Sequence, residues 1–127
     1  MKTSLDPAAL AQAVRAAVDD AERDLARMPF FVRPMARRGF ASRTGLGHDQ
    51  WRQRLSAVQA GDTPASARAR WQELEAALRR LAEDFRDAPE RAAKGMSDPV
   101  VLGQVRERAV ERARAVQALL AWLTTAA

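Results

Sequence analysis

The sequence predicts an all-α protein, because helix-start signals recur along the chain and apolar residues follow them at helical spacing. A capping residue followed by proline occurs three times, at Asp6-Pro7, Thr63-Pro64 and Asp98-Pro99. The cap side chain accepts a hydrogen bond from a free backbone N–H, and proline suits the first helical position because no N–H is needed there. No segment of the sequence alternates apolar and polar residues as strands do.

The first long helix is predicted over residues 7–27 and a short helix over residues 49–60. In the long helix every third or fourth residue is apolar, which gives one stripe: Leu10, Val14, Ala17, Ala21, Leu25 and Met28. In the short helix the same spacing relates Trp51, Leu55 and Val58, and a glycine ends the helix. Because alanine contributes part of the longer stripe, that helix buries little area but approaches its neighbours closely.

Two further long helices are predicted over residues 64–87 and 99–124. Apolar residues of the first alternate between spacings of four and three, an unbroken heptad pattern: Ala67, Trp71, Leu74, Leu78, Leu81 and Phe85. The stripe of the second is Leu102, Val105, Ala109, Val116, Leu120 and Leu123. Because each helix must bury one stripe, the sequence predicts a single domain over residues 1–127, an antiparallel bundle of three long helices and one short helix. We also expect homodimerisation through the long helices, which the sequence alone does not establish.

Two segments do not fit a regular helix. Residues 28–48 contain two prolines and three glycines, and we predict an irregular basic connection there, after the first helix. Residues 88–98 contain Pro89 and Gly95 and are predicted to form a short connector. A long irregular connection in a compact domain is uncommon and is usually functional.

Composition excludes several classes of function. The chain has no cysteine, which excludes disulfides, thiolate catalysis and cysteine-bound zinc. Its single histidine, His48, is interpreted as a surface residue at a helix start, because no second histidine completes a metal site. No apolar run approaches the roughly 20 residues that span a bilayer, and the N-terminal residues resemble an amphipathic helix more than a signal peptide. We therefore expect a cytoplasmic protein without a cofactor or metal.

The positive charge of the chain is concentrated in residues 27–54, where seven arginines accompany a single acid. Guanidinium groups bind phosphate in bidentate fashion, and aromatic rings stack on unpaired bases. We therefore expect binding rather than catalysis, with nucleic acid or an acidic protein surface as the partner and nucleic acid favoured. The candidate binding residues are Arg33, Arg37, Arg38, Arg43, Arg52 and Arg54. The candidate anchoring or partner-contacting residues are Phe30, Phe31, Phe40 and Trp51.

Other interpretations of the same segment stay open. One is that a set of apolar residues plugs the end of the bundle while the arginines are only solvated: Phe30, Phe31, Val32, Met35 and Phe40. The arginine bias of the chain, 19 of 21 basic residues, agrees with this interpretation. Another is a protein–protein adaptor or dimeric scaffold that docks through Phe30, Phe31 and helix faces. Residues 28–40 also combine aromatic and cationic residues as membrane-interface segments do.

Two further alternatives concern DNA and metal ions. Residues 40–55 loosely follow helix–turn–helix spacing, in which a second helix beginning near His48 would face the major groove. Acids four residues apart lie on common helical faces in three places: Asp20 with Asp24, Glu83 with Asp87, and Glu107 with Glu111. Such pairs are compatible with a divalent-metal-dependent helical hydrolase, although most have an arginine close enough to neutralise them.

Overall fold

In a computed structural model of the protein, which describes residues 6–57, 63–93 and 98–125, these residues form six α-helices and no strand. The helices are α1 (Pro7–Ala26), α2 (Arg33–Thr44), α3 (His48–Ser56), α4 (Pro64–Gln72), α5 (Glu75–Ala93) and α6 (Pro99–Thr124). The predicted all-α class is confirmed over the described residues. The predicted number and lengths of the helices are not.

The three helix starts predicted from the sequence are present. The side chains of Asp6, Thr63 and Asp98 accept hydrogen bonds of 3.1, 3.1 and 2.9 Å from backbone N–H groups in the first turn of the helix that follows each. Each cap therefore satisfies one of the N–H groups that have no partner inside the helix.

Helix α2 occupies the middle of residues 28–48, so the prediction of an irregular connection is wrong there. Pro34 does not break the helix because it lies in its first turn. Gly39 lies inside the helix, where a Cβ would come within 2.9 Å of a guanidinium nitrogen of Arg43, so the missing side chain leaves that space to arginine. Gly45 ends the helix in the left-handed conformation, with φ 92°.

The helix predicted over residues 64–87 is divided between α4 and α5. The N–H of Leu74 donates to the carbonyl of Trp71 at 2.9 Å, three residues back, which makes a tight turn between the two helices. The predicted heptad stripe nevertheless stays buried along its whole length: Ala67, Trp71, Leu74, Leu78, Leu81 and Phe85.

Helix α5 continues through Pro89 as far as Ala93, so the first part of the predicted connector 88–98 is helical. Residues 94–97 of that connector lie outside the described residues. The short helix predicted over residues 49–60 begins one residue earlier and ends at Ser56, and its predicted last residues also lie outside the described part.

All six helices, with the α4–α5 turn, contribute to one apolar core. Helix α5 packs along α6, α1 lies against α3 and α6, and α2 lies against α5. The buried stripe of α6 differs from the predicted one, because Leu119 is buried whereas Leu102 and Val105 are only partly covered. None of the helices in the described part of the chain has the length and apolar character needed to cross a membrane.

Candidate functional site

The first candidate arginine, Arg33, closes the end of α1. Its Nε donates to the carbonyl of Met28 at 3.0 Å, and its Nη2 donates to the carbonyl of Ala26 at 2.8 Å. The last carbonyls of a helix have no partner inside the helix, and a cation there also interacts favourably with the helix dipole. Arg33 therefore joins the start of α2 to the end of α1.

Arg37 and Arg52 share the carboxylate of Glu22 on α1, each with an N–O distance of 2.5 Å. Arg52 also bonds Asp19 at 3.1 Å and contacts Asp49. The hydrogen bond to Glu22 is the main reason that the pKa of Arg52 is raised. Burial alone would raise the pKa of Glu22, but the hydrogen bonds from the two arginines outweigh burial and lower it. These five residues link α1, α2 and α3.

Arg43 contacts a buried carboxylate on α5. Its Nε donates to Asp84, whose Oδ1 also lies 3.1 Å from a guanidinium nitrogen of Arg91. By contrast, Arg38 and Arg54 are exposed and make no ion pair with another described residue. Four of the six candidate arginines therefore bond inside the molecule, and two remain at its surface.

The candidate aromatic residues also divide into two groups. Phe40 and Trp51 are buried, and the indole N–H of Trp51 donates to the hydroxyl of Thr44 at 3.1 Å. The Thr44 hydroxyl in turn donates to the carbonyl of Phe40, four residues earlier on α2, at 3.0 Å. These two candidates are anchors inside the core.

His48 begins α3, as predicted, but it is buried rather than at the surface. Its ring stacks on that of Phe40, with centroids 4.0 Å apart and 16° between the planes. Burial lowers the pKa of His48, against the opposing effect of the nearby Glu22 carboxylate. The neutral imidazole is therefore favoured near neutral pH, which suits a residue inside the fold.

Phe30 and Phe31 are exposed by 78% and 70%, and Met35 and Met28 by 74% and 37%. We call these four residues the apolar patch. The two phenylalanine rings meet edge to face, with centroids 5.9 Å apart. The interpretation that both rings plug the end of the bundle is therefore wrong. Exposed apolar surface such as that of the two touching rings is typical of interaction sites.

Arginines surround the apolar patch along the chain. Arg27 immediately precedes the patch, and its side chain is 73% exposed. Arg38 follows Met35 by three residues on α2, so both lie on one helical face. Residues 27–38 contain four arginines and no acid, so the surroundings of the patch are cationic.

The structure also locates the residues of the DNA and metal alternatives. Helices α2 and α3 are joined by the three residues 45–47. The exposed charged residues of α3 are one acid, Asp49, and one arginine, Arg54, so that surface of the helix has no excess of positive charge for DNA. The carboxylates of Asp20 and Asp24 accept hydrogen bonds of 2.7 and 2.9 Å from Arg112, and the bond to Asp20 is the main cause of the lowered pKa of that acid. Among the described residues no three acidic or histidine side chains are placed to hold a metal ion.

Comparison of the chain with protein-family models, curated proteins and solved structures finds no match. The function must therefore be argued from the site. Its described features are the exposed rings of Phe30 and Phe31, the exposed thioethers of Met28 and Met35, and the arginines that flank them in the sequence.

Proposed function

We propose that this protein binds another protein through the apolar patch, and that the partner segment carries apolar side chains flanked by acidic ones. The observation that carries this proposal is the exposure of Phe30, Phe31 and Met35. Methionine and aromatic residues are enriched at protein interfaces, and the flexible methionine side chain adapts to different contact surfaces.

The energetics favour the two phenylalanines as the main contacts. Burying one exposed phenylalanine ring contributes about 1.5–3 kcal/mol, before the cost of ordering the partner is subtracted. Because the rings of Phe30 and Phe31 already contact each other, they present one surface rather than two separate side chains. Such a pair is suited to fill a pocket on the partner or to receive its apolar residues.

The charge around the patch favours an acidic partner. Arg27 and Arg38 lie beside the patch; Arg38 makes no ion pair with another described residue, and Arg27 lies 3.9 Å from its acid, Asp24, and stays 73% exposed. Interface charges of this kind increase the rate of association and discriminate against partners of like charge. They add less to affinity than the buried rings do.

Nucleic acid, the partner favoured by the sequence, is supported less well than an acidic protein. Phosphate is best bound by arginines whose charge is not already paired, and Arg37, Arg43 and Arg52 are paired with carboxylates while Arg33 bonds two backbone carbonyls. Stacking on bases remains a use for exposed phenylalanine rings. Nucleic-acid binding therefore stays a prediction, and the same experiment tests it.

The test is selection of peptides from a random display library on the wild-type protein, with removal of peptides that also bind the double variant Phe30→Ser/Phe31→Ser. We expect the selected peptides to combine apolar and acidic residues and to lose binding to the variant. A matched control, Val100→Ser/Val110→Ser, removes two other exposed apolar side chains and should bind as the wild type does.

Each selected peptide is then measured by fluorescence anisotropy at about 50 and 200 mM salt, beside single-stranded DNA and anionic lipid vesicles. Binding through the rings should persist at the higher salt concentration. The proposal fails if no peptide distinguishes the wild type from the phenylalanine variant, or if only DNA or vesicles bind. Loss of DNA binding in Arg38→Gln/Arg54→Gln would instead establish the nucleic-acid interpretation. Sedimentation of the wild type and the phenylalanine variant shows whether a second copy covers the patch.

A further inference from the structure

A partly enclosed cavity of about 570 Å³ lies between α1, α2, α5 and α6. Each helix contributes apolar side chains to its walls, among them Leu25, Phe40, Phe85 and Ala109. Its volume is in the range of roughly 300–1,000 Å³ that is usual for small-molecule sites. The cavity is distinct from the apolar patch, although Met28 belongs to both.

Five arginines line this cavity together with only two carboxylates. Asp84 lies between Arg43 and Arg91, as described above. Asp24 accepts a hydrogen bond from Arg112 at 2.9 Å and lies 3.7 Å from Arg108 and 3.9 Å from Arg27. Even when Asp20, the second partner of Arg112, is included, the positive charges outnumber the negative ones five to three.

Two of these arginines have donors to spare. Distances of 3.7 and 3.9 Å are too long for hydrogen bonds, so Arg108 and Arg27 are attracted to Asp24 without bonding it. Neither guanidinium makes a hydrogen bond with another residue in the described part of the chain. His48 also lines the cavity, is buried, and has no hydrogen-bond partner within residues 6–57, 63–93 and 98–125.

We propose that this cavity binds a small amphipathic anion, a carboxylate with a medium-length hydrocarbon chain. The apolar part of the walls, which includes Leu25, Phe40 and Phe85, would cover the chain, because burial of hydrocarbon is favourable. The carboxylate would receive hydrogen bonds from Arg27 and Arg108, which form short charge-assisted bonds in a fork geometry that matches its two oxygens. The surplus of positive charge favours an anion over a neutral or cationic molecule of the same shape.

The first measurement is isothermal titration of the wild-type protein with decanoate, decanol and decyltrimethylammonium. These probes share a hydrocarbon chain and differ in the charge of the headgroup. We expect saturable binding of decanoate at one site, weaker binding of decanol by on the order of tenfold, and weaker binding still of the cation. Absence of saturable decanoate binding, or equal binding of decanol, would overturn the proposal. Equal binding of inorganic phosphate would do so as well, because it would show an anion site without a use for the chain.

The location is tested with the double variant Arg27→Gln/Arg108→Gln. It should retain the fold because Asp24 keeps its hydrogen bond to Arg112, and it should weaken decanoate binding by on the order of tenfold. The matched control is Arg23→Gln/Arg106→Gln, which removes the same charge close by, four residues before Arg27 and two before Arg108, at positions outside the cavity. Equal weakening in the control would show a general effect of net charge and would refute the site.

Two more variants separate the cavity from the apolar patch. Ala36→Phe places a ring at a cavity-lining position of α2, so decanoate binding should fall while far-ultraviolet circular dichroism stays that of the wild type. Phe30→Ser/Phe31→Ser should bind decanoate as the wild type does. Loss of decanoate binding in that phenylalanine variant would place the ligand on the patch and contradict the cavity proposal. The proposed protein-binding function can fail without affecting any of these outcomes.

Discussion

Residues 28–55 contain two regions of similar composition, and the aromatic side chains of one are exposed while those of the other are buried. Residues 28–35 and residues 40–55 both combine arginine with large apolar residues. In the first region Phe30, Phe31 and Met35 are exposed, whereas in the second Phe40 and Trp51 are buried. Composition therefore does not determine which aromatic residues of such a segment enter the core.

Spacing and hydrogen bonding explain the difference. The buried residues of the second region are separated by four, four, three and four positions and lie on one face across the α2–α3 turn: Phe40, Thr44, His48, Trp51 and Leu55. Thr44 supplies an acceptor for the indole N–H, so burial of Trp51 leaves no polar group without a partner. In the first region Met28, Phe31 and Met35 also have helical spacing, but residues 27–32 form turns rather than a helix, so these side chains are not directed to one buried face.

The largest expected effect contrasts one ring from each region. Trp51→Ala should lower the free energy of unfolding by about 3–5 kcal/mol, because it removes a fully buried side chain and leaves a cavity. Phe31→Ala should change that free energy by no more than about 0.5 kcal/mol. Urea unfolding followed by circular dichroism measures both, and similar losses in the two variants would contradict the assignment of Phe31 to the surface.

A second prediction concerns the hydroxyl that supports Trp51. Thr44→Val keeps the shape of the side chain but leaves the indole N–H without its acceptor, so unfolding should cost about 1–3 kcal/mol less. Thr44→Ser retains the hydroxyl and should recover most of this stability. A Thr44→Val protein as stable as Thr44→Ser would show that the hydrogen bond does not hold the second region in the core.

A third prediction compares two arginines of the segment. Arg52→Gln removes bonds to Glu22 and Asp19 and should lower the free energy of unfolding by about 1 kcal/mol, with a smaller loss at high salt. Arg38→Gln breaks no ion pair with a described residue, so its stability should stay within about 0.5 kcal/mol of the wild type. Equal losses in the two variants would show that the bonds of Arg52 to Glu22 and Asp19 do not stabilise the fold.

The smallest expected effect is a dependence on pH from His48. Burial places its folded-state pKa below the ordinary value of 6.5, so the unfolded chain binds a proton first as the pH falls. Stability should therefore be complete above about pH 7, decline as the pH falls from the unfolded to the folded pKa, and then show no further loss from this group. The pKa values of Asp20 and Glu22 are lowered from 3.8 and 4.5, so in the folded protein both acids titrate below the pH range that is compared here.

The comparison for this prediction is His48→Phe, which keeps a ring against Phe40 and removes the titration. Chemical denaturation at about pH 5.5 and 7.5 should show a smaller difference in the variant than in the wild type. An equal difference in both proteins would assign the pH dependence to other groups.

The fold class followed from local rules. The caps Asp6, Thr63 and Asp98 start helices because short polar side chains and prolines act within one turn, without tertiary contacts. Helix α2 is not predicted from the sequence, because proline and glycine weaken most helix positions. Pro34 is tolerated because it lies in the first turn, and Gly39 leaves the space that the Arg43 side chain occupies. Both compensations depend on positions that only the folded chain reveals.

The sequence predicts where arginine and aromatic residues are concentrated, but it does not predict which partner each of them contacts. The six candidate arginines lie close together in the sequence, yet most of the acids that pair with Arg37, Arg43 and Arg52 lie on α1 and α5, far away in the sequence. The bond between Arg43 and Asp84 spans 41 positions, which no local pattern can indicate. The spacing of residues 40–55, in contrast, is visible in the sequence, where five residues from Phe40 to Leu55 fall on one helical face.

The bonds of Arg112 have a consequence for how this chain acquires its shape during synthesis. Arg112 on α6 bonds Asp20 and Asp24 on α1, which lie 92 and 88 positions earlier. A ribosome makes α1 long before it makes α6, so the side of α1 that packs against α6 stays uncovered until α6 has been translated. During that interval the face is available to chaperones, and folding of the first helix is completed by one of the last segments to be translated.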